Sequence, residues 1–417
     1  MRIVRASLFQ VALGALAVSV ASCAQLLGYD GLEPRDEPTD AAIEPDVPLP
    51  PPDTAPDTRP VADADADAGP PVTSARAPAR PPGSPVASGT GKTLWVIVDH
   101  FYLGTQAPDG TPSRDAWKDI GFDLDHVCTG EAESIANVGT CLRDPIAKKN
   151  VLADGNLCRD NNWGSQLLPL VSIVNSVFEK DSNDAILAGT NSWLLVLRDL
   201  DPGADDPYVP GALYKAAQWA DLGRSKPKFD GSDVRQVEAV SVFDHDVDKP
   251  RTVFPKGYVV GNTWVSGEPI DIDVSVPIAT VKAEFHMIAA VVTLELASDH
   301  STGGVGTLAG GLPKSAFEGL LRPVAAAAGF CPGSPLYDTL QTRVQQYVDL
   351  VAGAPNLQNT TVPCDTMSVG IGMTVAPLQP VTAVVDELPQ RTPCDDAGVD
   401  AGTDAAVDAG PDVKDGG

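Results

Sequence analysis

Apolar and polar positions alternate along much of the chain between 94 and 394, and the alternation predicts strands. Leu94-Trp95-Val96-Ile97-Val98 and Ser192-Trp193-Leu194-Leu195-Val196-Leu197 are short apolar runs rich in strand formers. Between 270 and 278 the period is two. Ile270, Ile272, Val274, Val276 and Ile278 share one face, with Asp271, Asp273 and Ser275 on the other. The run 281–297 continues as a long strand with Ile288, Ala290, Val292, Leu294 and Leu296 on one side. Three stretches switch to helical spacing. They are 163–179 (Leu167, Leu170, Val171, Val174, Phe178), 314–328 after Pro313, and 336–351 (Leu336, Leu340, Val344, Tyr347, Val351). These stripes predict core packing. The fold class expected is mainly β with a few helices: one antiparallel, sandwich-like domain following a disordered tether.

Composition divides the chain into four parts. Arg2 and Arg5 precede an apolar run from Leu8 to Val20, too short to span a bilayer, and small residues follow. This predicts a signal peptide over 1–22. The segment 23–93 holds fifteen prolines between Pro34 and Pro85 and no aromatic residue between Tyr29 and Trp95. Such a chain cannot bury enough apolar surface to offset its ordering entropy, so a disordered, extended linker is expected. The globular domain is then 94–394. The tail 395–417 repeats aspartate every four residues, at Asp396, Asp400, Asp404, Asp408 and Asp412, and is expected to stay solvated. Of the net charge of −27, residues 31–93 and the tail carry −6 each. That balance argues against nucleic acid as a partner, because phosphate neutralisation needs clustered Lys and Arg.

Val20-Ala21-Ser22-Cys23 resembles the bacterial lipobox. The resemblance implies cleavage before Cys23, acylation of that cysteine and anchoring to a membrane; Ala24 after it implies the outer membrane. The chain as a whole resembles the Asp-Ala-Gly-rich secreted lipoproteins of myxobacteria and their relatives. The residues that carry this are Gly121-Phe122-Asp123-Leu124-Asp125, Asp154-Gly155, Asp160-Asn161 and Cys364-Asp365-Thr366-Met367-Ser368-Val369-Gly370. It implies an exported address and no particular chemistry.

Catalytic signatures are missing. Gly89-Thr90-Gly91-Lys92-Thr93 looks like the end of a phosphate loop, but Val86 stands where the first glycine belongs, and a strand follows where a helix should open. Gly304-Val305-Gly306 with Ala309 is read as a glycine-rich hairpin or loop and not as a dinucleotide site. The five histidines, His100, His126, His245, His286 and His300, form no zinc motif, and no nucleophile elbow occurs. His286 is expected at the surface. The densest polar group is acidic: Asp123 and Asp125, then Asp154, Asn156, Asp160, Asn161 and Asn162. Capping and turn formation are the favoured reading of the loop. A structural Ca²⁺ held by Asp123, Asp125, Asp154, Asn156 and Asp160 is the alternative, because hard oxygen ligands suit that ion. No other cofactor is expected.

With Cys23 lipidated, Cys128, Cys141, Cys158, Cys331, Cys364 and Cys394 remain, an even number in an exported chain. Three lie early in the domain and three late. If all pair, an odd number of bridges joins the two groups, so the two ends of the domain must meet. The leading functional expectation is a non-catalytic binding domain for a glycan or an envelope protein. A secreted carboxylate-dependent glycosidase is the second and a structural envelope component the third. An exposed aromatic platform, for instance Trp219 or Trp264, would favour the glycan.

Overall fold

A computed structural model of the chain describes residues 74–130, 139–143, 152–278, 281–327, 330–388 and Cys394. The expected signal peptide, the linker as far as 73 and the acidic tail lie outside the described residues.

Nine strands carry the architecture: β1 Lys92–Tyr102, β2 Ser192–Leu200, β3 Gly211–Ala216, β4 Tyr258–Val260, β5 Thr263–Val265, β6 Ile270–Ile278, β7 Val281–Leu296, β8 Gly303–Pro313 and β9 Thr366–Pro377. Their order across the sheet is β3-β2-β1-β9-β8-β7-β5-β4, and every pairing among them is antiparallel. Shorter strands extend the β3 edge, one of them, Val384–Val385, in parallel pairing with Val237–Glu238. The sheet curls because β6 pairs with the first half of β7 while β8 takes the second half. The β6–β7 hairpin thereby folds back over β2, where the Trp193 indole donates to the Ser275 carbonyl at 2.6 Å. The fold is thus mainly β and sandwich-like.

The apolar runs of β1 and β2 have a simple cause. Both strands are covered on both faces. Leu94, Val96 and Val98 enter the larger core, and Ile97 enters a second one. Likewise Trp193, Leu195 and Leu197 face the first core and Leu194 and Val196 the second. A strand buried twice has no polar face to show.

The long strand β7 differs from its expected phase. Ala289 sits at φ +49°, and the register against β8 shifts between Ile288 and Val291. This bulge turns the side chains over. Val281, Ala283, Phe285 and Met287 face the core before it, and Ala290, Val292, Leu294 and Leu296 after it. Ile288 is half-buried and does not join the second set. His286 is exposed as expected and pairs with Asp273 at 2.9 Å across the hairpin.

Among the described residues four helices form: α1 Leu168–Val174, α2 Phe178–Ala188, α3 Phe317–Ala327 and α4 Pro335–Val344. The expected single helix over 163–179 is broken. Asn175 adopts extended angles, and its side chain accepts from the Val177 amide and donates to Asp181, which starts α2 afresh. Helix α4 ends at Val344, short of the expected 351, because Asp349 and Leu350 both donate to the Thr366 carbonyl and so join the edge of β9.

Two further differences concern glycine and the linker. The segment 303–311 is neither a hairpin nor a loop but part of the central strand β8. A Cβ on Gly310 would lie 2.9 Å from the Ala290 Cα, which explains glycine inside a strand. The expected disordered linker ends before 94. Residues 74–91 lie against the domain, held by Arg80 donating to the Pro207 carbonyl at 2.5 Å and by the Tyr258 hydroxyl donating to the Pro78 carbonyl at 2.5 Å. Gly89 and Gly91 are bound there too, their amides donating to the Asp199 carboxylate at 3.1 and 3.0 Å. The phosphate-loop lookalike therefore holds the protein's own carboxylate.

All six remaining cysteines pair, as Cys128–Cys158, Cys141–Cys364 and Cys331–Cys394. One bridge joins the early and late groups, spanning 223 residues, so the ends of the domain meet. Three disulfides point to an oxidising, extracytoplasmic compartment. Among the described residues no helix is long and apolar enough to cross a membrane.

Candidate functional site

Four segments distant in sequence converge beside β9. The loop after β1 brings Asp123 and Asp125; the loop before α1 brings Asp154 and Asp160; the segment after α4 brings Asp349; β9 itself brings Ser368 and Gly370. The Cys128–Cys158 bridge ties the first two loops together.

Each carboxylate is held from several sides. Asp125 accepts from the Val127 amide at 2.8 Å and from the Thr140 hydroxyl. Asp160 accepts from the amides of Leu124 and Asp125 at 2.7 and 3.3 Å. The Thr129 amide donates to Asp154 at 2.5 Å. Ser368 donates to Asp349 twice, from its amide at 2.8 Å and its hydroxyl at 2.6 Å. Asp123 takes both the Nε and the Nη2 of Arg76 on one oxygen, Oδ2, at 3.1 and 3.0 Å. Its other oxygen, Oδ1, is buried and has no hydrogen-bond partner among the described residues.

Burial and mutual repulsion dominate the electrostatics. Exposure is 4% for Asp123, 1% for Asp125, 3% for Asp160 and 7% for Asp349. Loss of hydration pushes Asp125 up to about 7, with the charges of Asp349 and Asp123 adding to it. Burial, then Asp125 and Asp349, push Asp154 up to about 8. Asp349 rises to about 6 by burial, opposed by its bonds to Ser368 and by Arg143. Asp160 is pushed well above the usual carboxylate range by burial and by its three acidic neighbours. An oxygen of Asp123, of Asp125 and of Asp160 lie within 4.8 Å of one another.

The expected set is thus brought together except for one member. Asn156 is exposed, and its amide donates to Asp119 at 2.9 Å. Asn161 acts as the capping reading expects, whereas Asn162 makes no capping bond. Asn161 Oδ1 accepts from the Gly164 and Gly370 amides at 3.0 Å each, and Asn162 Nδ2 donates to the Tyr347 carbonyl at 3.2 Å. Asp349 was not among the expected residues. It lies in the expected third helix with no acidic neighbour in sequence, so only the meeting of segments reveals it.

A second candidate site shares no residue with this cluster. A cavity of about 660 Å³ is bounded by Trp219, Gln218, Asn191, Gln236, Glu238 and Lys282, among others. The Trp219 ring is fixed: its Nε1 donates to Ser225 at 2.9 Å, and the Arg235 guanidinium stacks 5.5 Å from its centroid. Lys282 is buried and donates to Glu238 at 2.7 Å and to Glu387. Trp264 is fully buried and donates to the Val209 carbonyl at 2.9 Å, so it is no platform. The histidines gather no ligand set; His100 lies against Asn183 at 3.2 Å and His300 Nδ1 against the Asp201 carbonyl at 2.9 Å.

Comparison with family models, with curated proteins and with solved structures gives no match.

Proposed function

We propose that the chain is an exported lipoprotein, anchored to the outer membrane through Cys23, whose β domain binds a glycan in the cavity beside Trp219. The observation that carries the ligand class is the aromatic ring itself. It is half-buried, locked by Ser225 and Arg235, and set at the edge of a 660 Å³ cavity among the amide side chains of Gln218, Asn191 and Gln236. A sugar offers an apolar C–H face for such a ring and hydroxyls for such amides, and a preformed site of this kind loses little entropy on binding.

The carboxylates of the same cavity favour binding over hydrolysis. A glycosidase needs two carboxyl groups facing each other across the sugar, one free to donate a proton. Glu238 and Glu387 instead share the ammonium of Lys282, which stands between them. These two act as counterions for a buried lysine; of the other carboxylates lining the cavity, Asp181 accepts from Asn175 at 2.9 Å and Asp386 pairs with His245 at 3.3 Å.

The experiment is a glycan array of neutral and amino-sugar oligosaccharides, probed with the folded domain and with Trp219→Ala. Binding that disappears in the variant at unchanged melting temperature supports the reading. Equal binding by both proteins, or none by the wild type, removes it. Anchoring is tested separately, by the mass of the mature N-terminus: acylated Cys23 is expected, and an unmodified, water-soluble product refutes it.

A further inference from the structure

We propose that the carboxylate cluster of Asp123, Asp125 and Asp160, flanked by Asp154 and Asp349, is a Ca²⁺ site that closes the domain at the point where its early and late segments meet. The site is independent of the glycan cavity, and neither proposal depends on the other.

The geometry comes first. Three carboxylate oxygens within 4.8 Å of one another match a shared ion. Calcium binds oxygen at about 2.3–2.6 Å, so two of its ligands are at most about 5 Å apart. The second observation is the orphan oxygen. Asp123 is 4% exposed, and its Oδ2 is used up by Arg76, yet its Oδ1 is buried and takes no hydrogen bond from any described residue. A buried carboxylate oxygen without a donor is costly unless a cation meets it. Asp123 belongs to the three-residue group, and a surface cavity of about 420 Å³, lined by Arg76, Phe122, Asp123, Leu124 and His126, opens beside it and offers a route for the ion.

Charge supports the same ion. When all are ionised, five carboxylates stand against two cations among the described residues, Arg76 on Asp123 and Arg143, which acts on Asp125, Asp154 and Asp349. A divalent cation removes most of the remaining excess. Magnesium suits the place less well, since it gives up its water reluctantly and Asp125 and Asp160 are almost wholly enclosed. The ligands are also held ready. The Cys128–Cys158 bridge fixes the two loops, and Ser368 and Gly370 of β9 bind Asp349 and Asn161.

The Asp123 amide donates to the Ala75 carbonyl at 2.7 Å, and the Ala75 amide to the Leu157 carbonyl at 2.8 Å. The segment that leads into the domain is therefore clamped over the site, and calcium would tighten that clamp.

The test uses the full disulfide-bonded chain, stripped with EGTA. Calcium titration is followed by calorimetry and thermal unfolding, with magnesium as control and metal content measured after dialysis. One calcium per chain, a melting temperature raised by calcium and little by magnesium, and slower proteolysis between 74 and 91 are expected. Asp125→Asn and Asp160→Asn supply the discriminating sign. Each should lose the calcium response and, at alkaline pH in EGTA where the cluster is ionised, melt higher than the wild type, because one repelling charge is gone. A purely structural role predicts the opposite, a lower melting temperature with the calcium response retained, and that result overturns the proposal. So does a wild type that retains no metal and whose melting temperature calcium leaves unchanged, which needs no variant to fold.

Discussion

Removing the Cys141–Cys364 bridge should destabilise the domain more than removing either of the others. The double variant Cys141→Ala/Cys364→Ala frees a loop of 223 residues, against 63 for Cys331–Cys394 and 30 for Cys128–Cys158. In the chain-entropy treatment a cross-link stabilises by an amount that grows with the logarithm of the closed loop. The three bridges then contribute about 5, 4 and 4 kcal/mol in that order. Cys141 and Cys364 are also buried, at 5% and 3% exposure, while Cys128 is exposed. Their loss therefore adds a packing term of about 1 kcal/mol, the scale of a cavity left by a small group. The consequence goes beyond energy. This is the bridge that holds the short pairing of Cys141–Leu142 with Asn359–Pro363, and it sits beside Thr140, which donates to Asp125. Urea unfolding of three double-alanine variants in EGTA, with free thiols counted, measures the order directly. The Cys141/Cys364 variant should unfold at the lowest urea concentration. If it matches the wild type within about 1 kcal/mol, or loses less than the Cys128/Cys158 variant, the cross-domain bridge does not limit the unfolded chain as argued.

Two further perturbations probe buried charge. In calcium-free protein, stability should fall as pH rises from about 4 to 8. Asp349, Asp125 and Asp154 titrate near 6, 7 and 8 when folded, above the unfolded value of about 3.9, so the native state holds more protons and loses that advantage as pH climbs through the folded values. Melting temperature measured in EGTA across that range checks this; a curve that rises toward pH 8 contradicts it, and saturating calcium should flatten the slope. Lys282→Met should cost about 3–5 kcal/mol, because it strands Glu238 at 6% exposure without its cation. Adding Glu238→Gln to that variant should recover part of the loss, and a double variant no more stable than Lys282→Met refutes the pairing argument.

Local pattern was enough for much of the architecture. Period-two alternation placed Ile272, Val274 and Val276 inward and Asp271 and Asp273 outward, because a pleated strand leaves a side chain no other choice of face. The unbroken runs of β1 and β2 were legible as strands, and parity alone required a bridge between the early and late cysteines. The acidic residues Asp123, Asp125, Asp154 and Asp160 stood out by density.

What escaped the sequence depends on contacts between distant segments. The bulge at Ala289 reverses the inward face of β7, and no residue type marks it, since alanine is a poor predictor of positive φ. Asn156 was indistinguishable from its neighbours until the loop turned it toward Asp119. Helix α4 stops early because Asp349 is drawn to β9, and the same pull makes Asp349 the fifth carboxylate of the cluster. Residues 74–91 read as linker by composition, yet arginine side chains and backbone amides find partners on a surface that exists only once the sheet has formed. Amino-acid order along one segment sets which faces are apolar and which cysteines are available. Where carboxylates 224 residues apart, Asp125 and Asp349, come within reach of each other's charge is decided by the closing of the sheet and its bridges, and with it whether they are solvated caps or a site for a cation.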